Sequence, residues 1–248
     1  MSSAKQQTDS FAVIGAGMSG VLAGIKLKEA GHPFTIFEKA DRVGGTWREN
    51  TYPGIACDVP SHIYSYSFEL NPDWSEFTSP GAEVQEYFEG VSKRYGIDEH
   101  IRFNEAVIRC TWMDGEWEIE TEKGHIERVR WVIAATGILH HPKYPDIDGL
   151  DTFEGPMFHT ARWDHDIDIT GKRIGLIGTG SSGVQITAAV APEVENLTVF
   201  QRTAQWIVPN DRVVYTEEEK EAFRTDADLL QNLHNEMSTA FNDGFATS

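Results

Sequence analysis

An α/β fold built from two nucleotide-binding units is predicted by three features of the sequence. The phrase FAVIGAGMSG (Phe11 to Gly20) is nearly repeated by IGLIGTGSSG (Ile174 to Gly183), each copy includes a short apolar run, and each opens a stretch with helical spacing. A Gly-x-Gly-x-x-Gly pattern is weak alone; set between a strand and a helix, in a unit of about 30 residues, it becomes specific. The chain therefore reads as two Rossmann-like dinucleotide-binding units, the second incomplete because only helical sequence follows its second strand. The expected domains are 1–145 and 146–248, the latter ending in a helical tail.

Each element has its own reason. FAVIG is a buried parallel strand by its unbroken apolar run. MSGVLAGIKLKEAG is a helix, with Val21, Leu22, Ile25 and Leu27 on one face and Gly31 as its stop. FTIFEKA completes a βαβ unit over residues 11–38. Residues 41–80 are rich in Gly, Pro, Ser and aromatics and read as one long ordered loop, a kind that is usually functional. GAEVQEYFEGVSKRYG is a helix, AVIRCTWM and EWEIET are strands joined by the turn Asp114–Gly115, and HIERVRWVIAATG is read as a single strand. GILHHPKYPDIDGL, with His140 and His141 as linker residues, marks a boundary over 138–150. RIGLIG, SSGVQITAAVA and LTVFQRT then repeat strand, helix, strand, and from Tyr215 the chain is helical. The acidic TEEEKEAF is a solvated helix face.

The bulk composition excludes several classes. A net charge of −18 on 248 residues repels nucleic acid and anionic membrane. No apolar run reaches the roughly 18 residues of a membrane span, and the polar N-terminus lacks a signal-peptide core. Cys57 and Cys110 make neither a disulfide framework nor a metal site. A cytoplasmic protein with reduced thiols and no metal is expected.

In each phrase the first glycine (Gly15, Gly178) permits a tight strand-to-helix turn. The second (Gly17, Gly180) clears the backbone for a pyrophosphate, and the third (Gly20, Gly183) lets helix and strand pack closely. The helix start offers unpaired N–H groups and a positive dipole end to phosphate. The phrases differ at the end of the second strand. Glu38, 23 residues after Gly15, can accept from ribose hydroxyls and repels a 2′-phosphate. Arg202, 24 residues after Gly178, suits a phosphate dianion, and Thr203 adds a hydroxyl. The first unit is thus expected to take FAD and the second NADPH, a FAD/NAD(P)-binding fold in duplicate, with hydride passing from nicotinamide to flavin. VIAATG (Val132 to Gly137) reads equally as a plain strand end and as the strand that closes the first unit.

Two further stretches resemble the class B flavoprotein monooxygenases. VGGTWRENTYPGIACD (Val43 to Asp58) is similar to that family's G-G-x-W…Y-P-G-x-x-C-D stretch. FEGPMFHTARWD matches F-x-G-x-x-x-H-x-x-x-W-[PD] at Phe153, Gly155, His159, Trp163 and Asp164, and the closing Trp163–Asp164 points to the Baeyer–Villiger branch. The resemblance covers the whole chain, is thinnest after Tyr215, and spans about the first half of the family's usual length. It implies that Ser19, Glu38, Thr46, Trp47, Arg48, Glu49, Asp58, Tyr64 and Val107 surround FAD, with Gly44 and Gly45 laying backbone against the flavin. Ala56, Cys57 and Asp58 are implied to lie between flavin and nicotinamide. Thr179, Gly180, Ser181, Ser182, Gly183, Val184 and Gln185, with Arg202 and Thr203, are implied to take NADPH.

The same resemblance implies an activity. NADPH reduces the flavin, O₂ gives a C4a-peroxyflavin, and that species inserts one oxygen beside a ketone carbonyl to form an ester or lactone. Asp58 would support an arginine that the family carries well beyond the second glycine phrase; Arg212 and Arg224 come too early to match it, so a missing C-terminal half is an expected partner. His159, where the two units join, is read as coupling them rather than as a base. Other readings stay open. Trp47, Tyr52 and Tyr64 also fit core aromatics, Asp58 a helix cap, and Cys57 a packing residue. An N- or S-oxygenating flavin monooxygenase is disfavoured by Trp163–Asp164, and a disulfide reductase by the lack of a close cysteine pair. A non-catalytic FAD- or NADPH-binding fragment is favoured by the early end of the chain.

Overall fold

The computed structural model describes residues 9–139, 141–207 and 212–246; His140 lies outside them. The chain forms two compact units. One holds the residues up to Glu49 together with Gln85–His141, the other Asn50–Val84 together with the chain from Pro142. The sequence suggested one crossing point near residue 145; the chain crosses three times, because the long loop folds with the second unit.

In the first unit, β1 (Phe11–Ile14), α1 (Met18–Glu29) and β2 (Phe34–Phe37) form the expected βαβ turn, followed by the short α2 (Thr46–Glu49). The chain returns in α3 (Gly81–Arg94), β3 (Ile101–Arg102), β4 (Val107–Met113), β5 (Glu116–Thr121), β6 (Ile126–Val129) and β7 (Trp131–Ala134). A parallel sheet runs in the order β3-β2-β1-β7, and an antiparallel sheet in the order β4-β5-β6. Ala12 and Phe37 of the first sheet and Ile119 and Val129 of the second are buried together, with Val107, Cys110, Trp117 and Val132 around them. The Asp114–Gly115 turn is as read, both residues having positive φ (54° and 84°), as a two-residue hairpin requires.

One strand reading is corrected. HIERVRWVIAATG is two strands in two sheets: β6 runs antiparallel to β5, and β7 runs parallel to β1. Arg130 sits at the break, its guanidinium on the Gly115 carbonyl and 5.8 Å and 5.7 Å from the rings of Trp112 and Trp131. The polar residues His125, Glu127 and Arg128 before the break suit a half-exposed antiparallel strand, and the unbroken apolar Trp131–Ala134 after it suits the parallel sheet.

In the second unit, β8 (Arg173–Ile177), α4 (Ser181–Val190) and β9 (Asn196–Phe200) make a parallel pair with its crossover helix. Tyr52 from the long loop is buried with Leu176, Ile186 and Val190, and Ile55, Trp163, Ile169, Val194 and Leu197 pack around them. A mostly apolar cavity of about 880 Å³ lies beside β8 and β9, with Phe153, Met157 and Phe200 on its wall. The tail folds as α5 (Glu217–Thr225) and α6 (Ala227–Ala246). Thr216 and Glu219 cap α5 reciprocally, and Glu217, Glu218 and Glu219 are solvated.

The tail is anchored on the long loop of its own unit. Phe77 N–H donates to the Val213 carbonyl (2.9 Å), Tyr215 N–H to that of Ser75 (2.9 Å), and Arg212 pairs with the buried Glu76. His62, 1% exposed, has Tyr215 and Phe223 edge-on to its ring at 5.1 Å and 5.0 Å, and among the described residues neither ring nitrogen finds a hydrogen-bond partner. His234 on α6 donates its Nδ1–H to the His62 carbonyl (2.7 Å). Burial first, and the neighbouring His234 second, push the His62 pKa down to about 4. Among the described residues no helix is long and apolar enough to cross a membrane.

Candidate nucleotide-binding sites

In the first unit the glycine phrase turns from β1 into α1. Gly15 has φ +100°, and a side chain there would meet the Ala135 carbonyl oxygen at 2.6 Å; at Gly20 a Cβ would lie 1.9 Å from the Gly15 oxygen. The fold itself demands these two glycines. It does not demand Gly17, whose φ is −76° and whose added Cβ would make only ordinary contact with the Gly45 backbone, its Cα at 3.5 Å and its N at 3.9 Å. Gly17 is also the N-cap of α1, and no side chain caps that helix. The result is a bare backbone cradle of Gly17 and Gly45 at the start of α1, where a helix has no preceding carbonyls for its first N–H groups, which suits a phosphate. VIAATG closes this unit: β7 pairs with β1, and Ala135 packs on Gly15.

Glu38 follows β2 directly and is buried, 3% exposed. Its carboxylate accepts from Ala16 N–H (2.7 Å), Ala40 N–H (3.0 Å) and Arg48 (3.1 Å). A carboxylate has about four lone-pair positions, so one acceptor position remains beside the glycine phrase. Arg48 also donates to the Arg42 carbonyl (2.7 Å) and to Glu49 (3.0 Å), and Lys39 pairs with Glu49 (2.9 Å). This network fixes α2, where Trp47 is half-buried and Thr46 exposed. Ser19 is exposed on the first turn of α1, and Val107 begins β4 beside the core. Sequence reading missed Gln85: its amide donates to the Val43 carbonyl (2.7 Å) and lies against Gly44, which has φ +132°.

In the second unit Gly178 has φ +109°, and a Cβ on Gly183 would lie 2.5 Å from the Gly178 oxygen. Gly180, with φ −72°, would meet nothing within 4 Å among the described residues, and α4 again lacks a side-chain cap. The pattern of the first unit recurs: two glycines needed by the fold and a middle one that is not.

The registers of the two units correct one equivalence. Ile14 pairs with Phe37 and Gly15 N–H donates to the Phe37 carbonyl (2.8 Å); Ile177 pairs with Phe200 and Gly178 N–H donates to the Phe200 carbonyl (2.9 Å). The counterpart of Glu38 is therefore Gln201, and Arg202 lies one residue further on. The count from the glycines agrees: Gln201 stands 23 residues after Gly178, as Glu38 does after Gly15, and Arg202 stands 24. A neutral amide stands where the first unit has an acid. Arg202 and Thr203 are exposed, and Arg202 makes no ion pair among the described residues.

Within the second unit, Asp58 is exposed and no helix follows it, which removes the helix-cap reading. Ala56 bridges Pro80, and Cys57 N–H donates to the Ser79 carbonyl (2.9 Å). Cys57 is buried, and that burial pushes its thiol up to about 11, as expected of a packing residue rather than a nucleophile. Tyr64 is half-buried in the turn after Pro60. His159 caps the short turn Thr160–Arg162 by accepting from Ala161 N–H (3.1 Å), and its ring meets Tyr144 edge-on at 5.8 Å. Trp163 packs on Phe158 (5.1 Å), the Phe153 ring lies against Gly155, and Asp164 accepts from Asp166 N–H (3.0 Å). Thr179, Ser181, Ser182 and Val184 flank the start of α4, and the amide of Gln185 is bonded to Tyr52 and Ala56.

Comparison with known proteins agrees with this architecture. The family model of flavin-binding monooxygenase-like proteins matches residues 8–241, and the chain belongs to that family. It is 48% identical over 207 residues to a Baeyer–Villiger monooxygenase of Streptomyces coelicolor and 40% identical over 216 residues to one of Pseudomonas aeruginosa, covering 82% and 86% of this chain. It spans 40% and 41% of the length of those two relatives. Among solved structures, cyclohexanone monooxygenase from Rhodococcus sp. Phi1 bound to NADP+ is similar at 41% identity and a TM-score of 0.80, over 90% of this chain and 44% of that one. The OTEMO complex with FAD and NADP is similar at 34% identity and a TM-score of 0.81, over 92% and 44%.

Proposed function

We propose that this chain is the nucleotide-binding portion of an NADPH-dependent Baeyer–Villiger monooxygenase, with FAD in the first unit and NADPH in the second. The observation that carries the reading is the middle glycine of each phrase. Neither Gly17 nor Gly180 is required by its φ or its neighbours, so the missing side chain is explained by something approaching from outside. In the first unit the α1 start receives the FAD pyrophosphate, Glu38 accepts from a ribose hydroxyl, and Gly44 to Glu49 present backbone to the flavin. In the second, Thr179 to Val184 receive the NADPH pyrophosphate, while Arg202 and Thr203 hold the 2′-phosphate beside the uncharged Gln201. Bound FAD, once reduced by NADPH, supplies the electrons for O₂ activation and oxygen insertion beside a ketone carbonyl. Asp58 stands in an exposed, backbone-fixed turn, available to orient a cationic partner near that chemistry.

A second reading is a non-catalytic nucleotide-binding portion. It is favoured by the apolar cavity beside β8 and β9, a surface open to a binding partner. One experiment separates the two: record the visible spectrum of the purified chain and follow NADPH oxidation with and without cyclic and aryl ketones. Retained flavin with ketone-dependent ester formation supports the enzyme; flavin without turnover supports the binding portion; no flavin uptake contradicts both.

A further inference from the structure

The loop that carries Ala56 to Asp58 is tied to helix α4 through a single amide. The Tyr52 hydroxyl donates to Gln185 Oε1 (3.0 Å), Gln185 Nε2 donates to the Ala56 carbonyl (3.0 Å), and Ala56 N–H reaches Gln185 Oε1 at 3.4 Å. The same tyrosine hydroxyl lies within reach of Ser182, on the first turn of α4. Both ends of the Gln185 amide are thus taken up by the loop, which leaves it little to offer a nucleotide.

The packing around this bond allows no slack. Tyr52 is 6% exposed among Leu176, Ile186 and Val190. Gly54 has φ +81°, and a Cβ there would come within 2.8 Å of both Ala189 Cβ and the Gln185 backbone carbonyl oxygen, so the loop lies directly on the helix. Thr51 and His165 are joined at 2.8 Å on the near side of Tyr52, and Gly81 N–H donates to the Ile55 carbonyl (2.9 Å) beyond it. A half-buried amide bonded to half-buried backbone is costly to leave half-paired, so helix and loop move together or not at all.

We infer that Gln185 and Tyr52 are positioning residues: they make the placement of Ala56 to Asp58 depend on the first turn of α4, and Gln185 is not a ligand of the nucleotide. This rests on the reading that α4 receives NADPH. Nucleotide that orders the helix start then orders the Asp58 segment through the Gln185 amide, without touching it.

Amide hydrogen exchange on the whole chain tests this, with NADP+ as the probe and Gln185→Met and Tyr52→Phe as variants. Without nucleotide, exchange over residues 52–58 should be about tenfold faster in Gln185→Met and a few-fold faster in Tyr52→Phe, with α4 unchanged. With NADP+, the unsubstituted protein should gain protection over both 179–184 and 54–58, and the variants over 179–184 alone. Wild-type exchange over 52–58 in both variants, or NADP+ protection that reaches 179–184 but never 54–58, overturns the coupling. Loss of the 179–184 protection in Gln185→Met makes Gln185 a ligand and also overturns it. If Gln185→Met loosens α4 as a whole, Tyr52→Phe decides, since it keeps the ring in place: unchanged exchange over 52–58 there overturns the latch. Absence of NADP+ protection anywhere in the unsubstituted protein refutes the NADPH reading instead, while the nucleotide-free comparison still judges the latch.

Discussion

Mild acid should loosen the tail of the second unit through one histidine. His62 titrates near 6.5 in an unfolded chain and at about 4 in the fold, where its ring is sealed between Tyr215 and Phe223 with His234 nearby. A folded pKa below the unfolded one means that the unfolded chain takes the proton first. The stability tied to neutral His62 is whole above about pH 6.5, falls as the pH drops through that value, and is gone below about pH 4. The linkage relation makes the loss about 2 kcal/mol at pH 5 and about 3 kcal/mol below pH 4. Because neither ring nitrogen has a hydrogen-bond partner among the described residues, His62→Phe sacrifices no bond seen there and keeps an aromatic ring in the same cluster. Urea unfolding at pH 7.5 and pH 5.0, followed by tryptophan fluorescence, gives the comparison. The wild-type protein should lose about 2 kcal/mol more than His62→Phe between the two values. Equal losses in the two proteins would refute the placement of a neutral, unpaired imidazole in this core.

Other outcomes follow from the same geometry. Arg202→Ala should weaken NADPH by about 10- to 100-fold in a fluorescence titration and leave NADH nearly unchanged, as loss of a charge-assisted phosphate contact requires; equal losses would remove Arg202 from that role. Gln201→Glu restores the acid that the first unit carries and should lower NADPH affinity about tenfold or more while sparing NADH, and unchanged preference would show that the register match has no bearing on choice of coenzyme. Gly20→Ala would put a Cβ 1.9 Å from the Gly15 oxygen and should cost about 3 kcal/mol or more in urea unfolding, as overpacking at rigid backbone does. Cys57 should resist iodoacetamide at pH 8 until the chain is unfolded, because its thiol is buried and pushed up to about 11; fast labelling of the folded protein would contradict the packing role.

The glycine phrases, both strand–helix–strand turns, the long helix over Gly81–Arg94 and the hairpin turn were legible because each rests on short-range physics: period, positive φ, or a run of apolar residues. What the sequence hid depends on distant partners. The split at Arg130 needs two sheets to be in view, although the change from the mixed His125–Val129 to the unbroken apolar Trp131–Ala134 marks it in the sequence. The crossing of the loop 50–84 into the second unit depends on Tyr52 finding Ile186 and Val190, more than a hundred residues away. Gln201 was legible by count, 23 residues after its first glycine as Glu38 is, but the charge of Arg202 one residue on drew the match away from it until backbone pairing fixed the register. Gln185 was legible as part of a motif, but its amide turns toward Ala56, and no spacing records the direction in which a side chain points.

The central claim is that two glycine phrases in one chain hold two different dinucleotides. Equilibrium dialysis against FAD and NADP+ with Gly17→Val and Gly180→Val tests it most directly, because neither position imposes positive φ or a backbone clash on the new side chain. The account predicts that the first variant loses FAD and keeps NADP+, and that the second does the reverse. Loss of both nucleotides in either folded variant, or of neither in both, would contradict it.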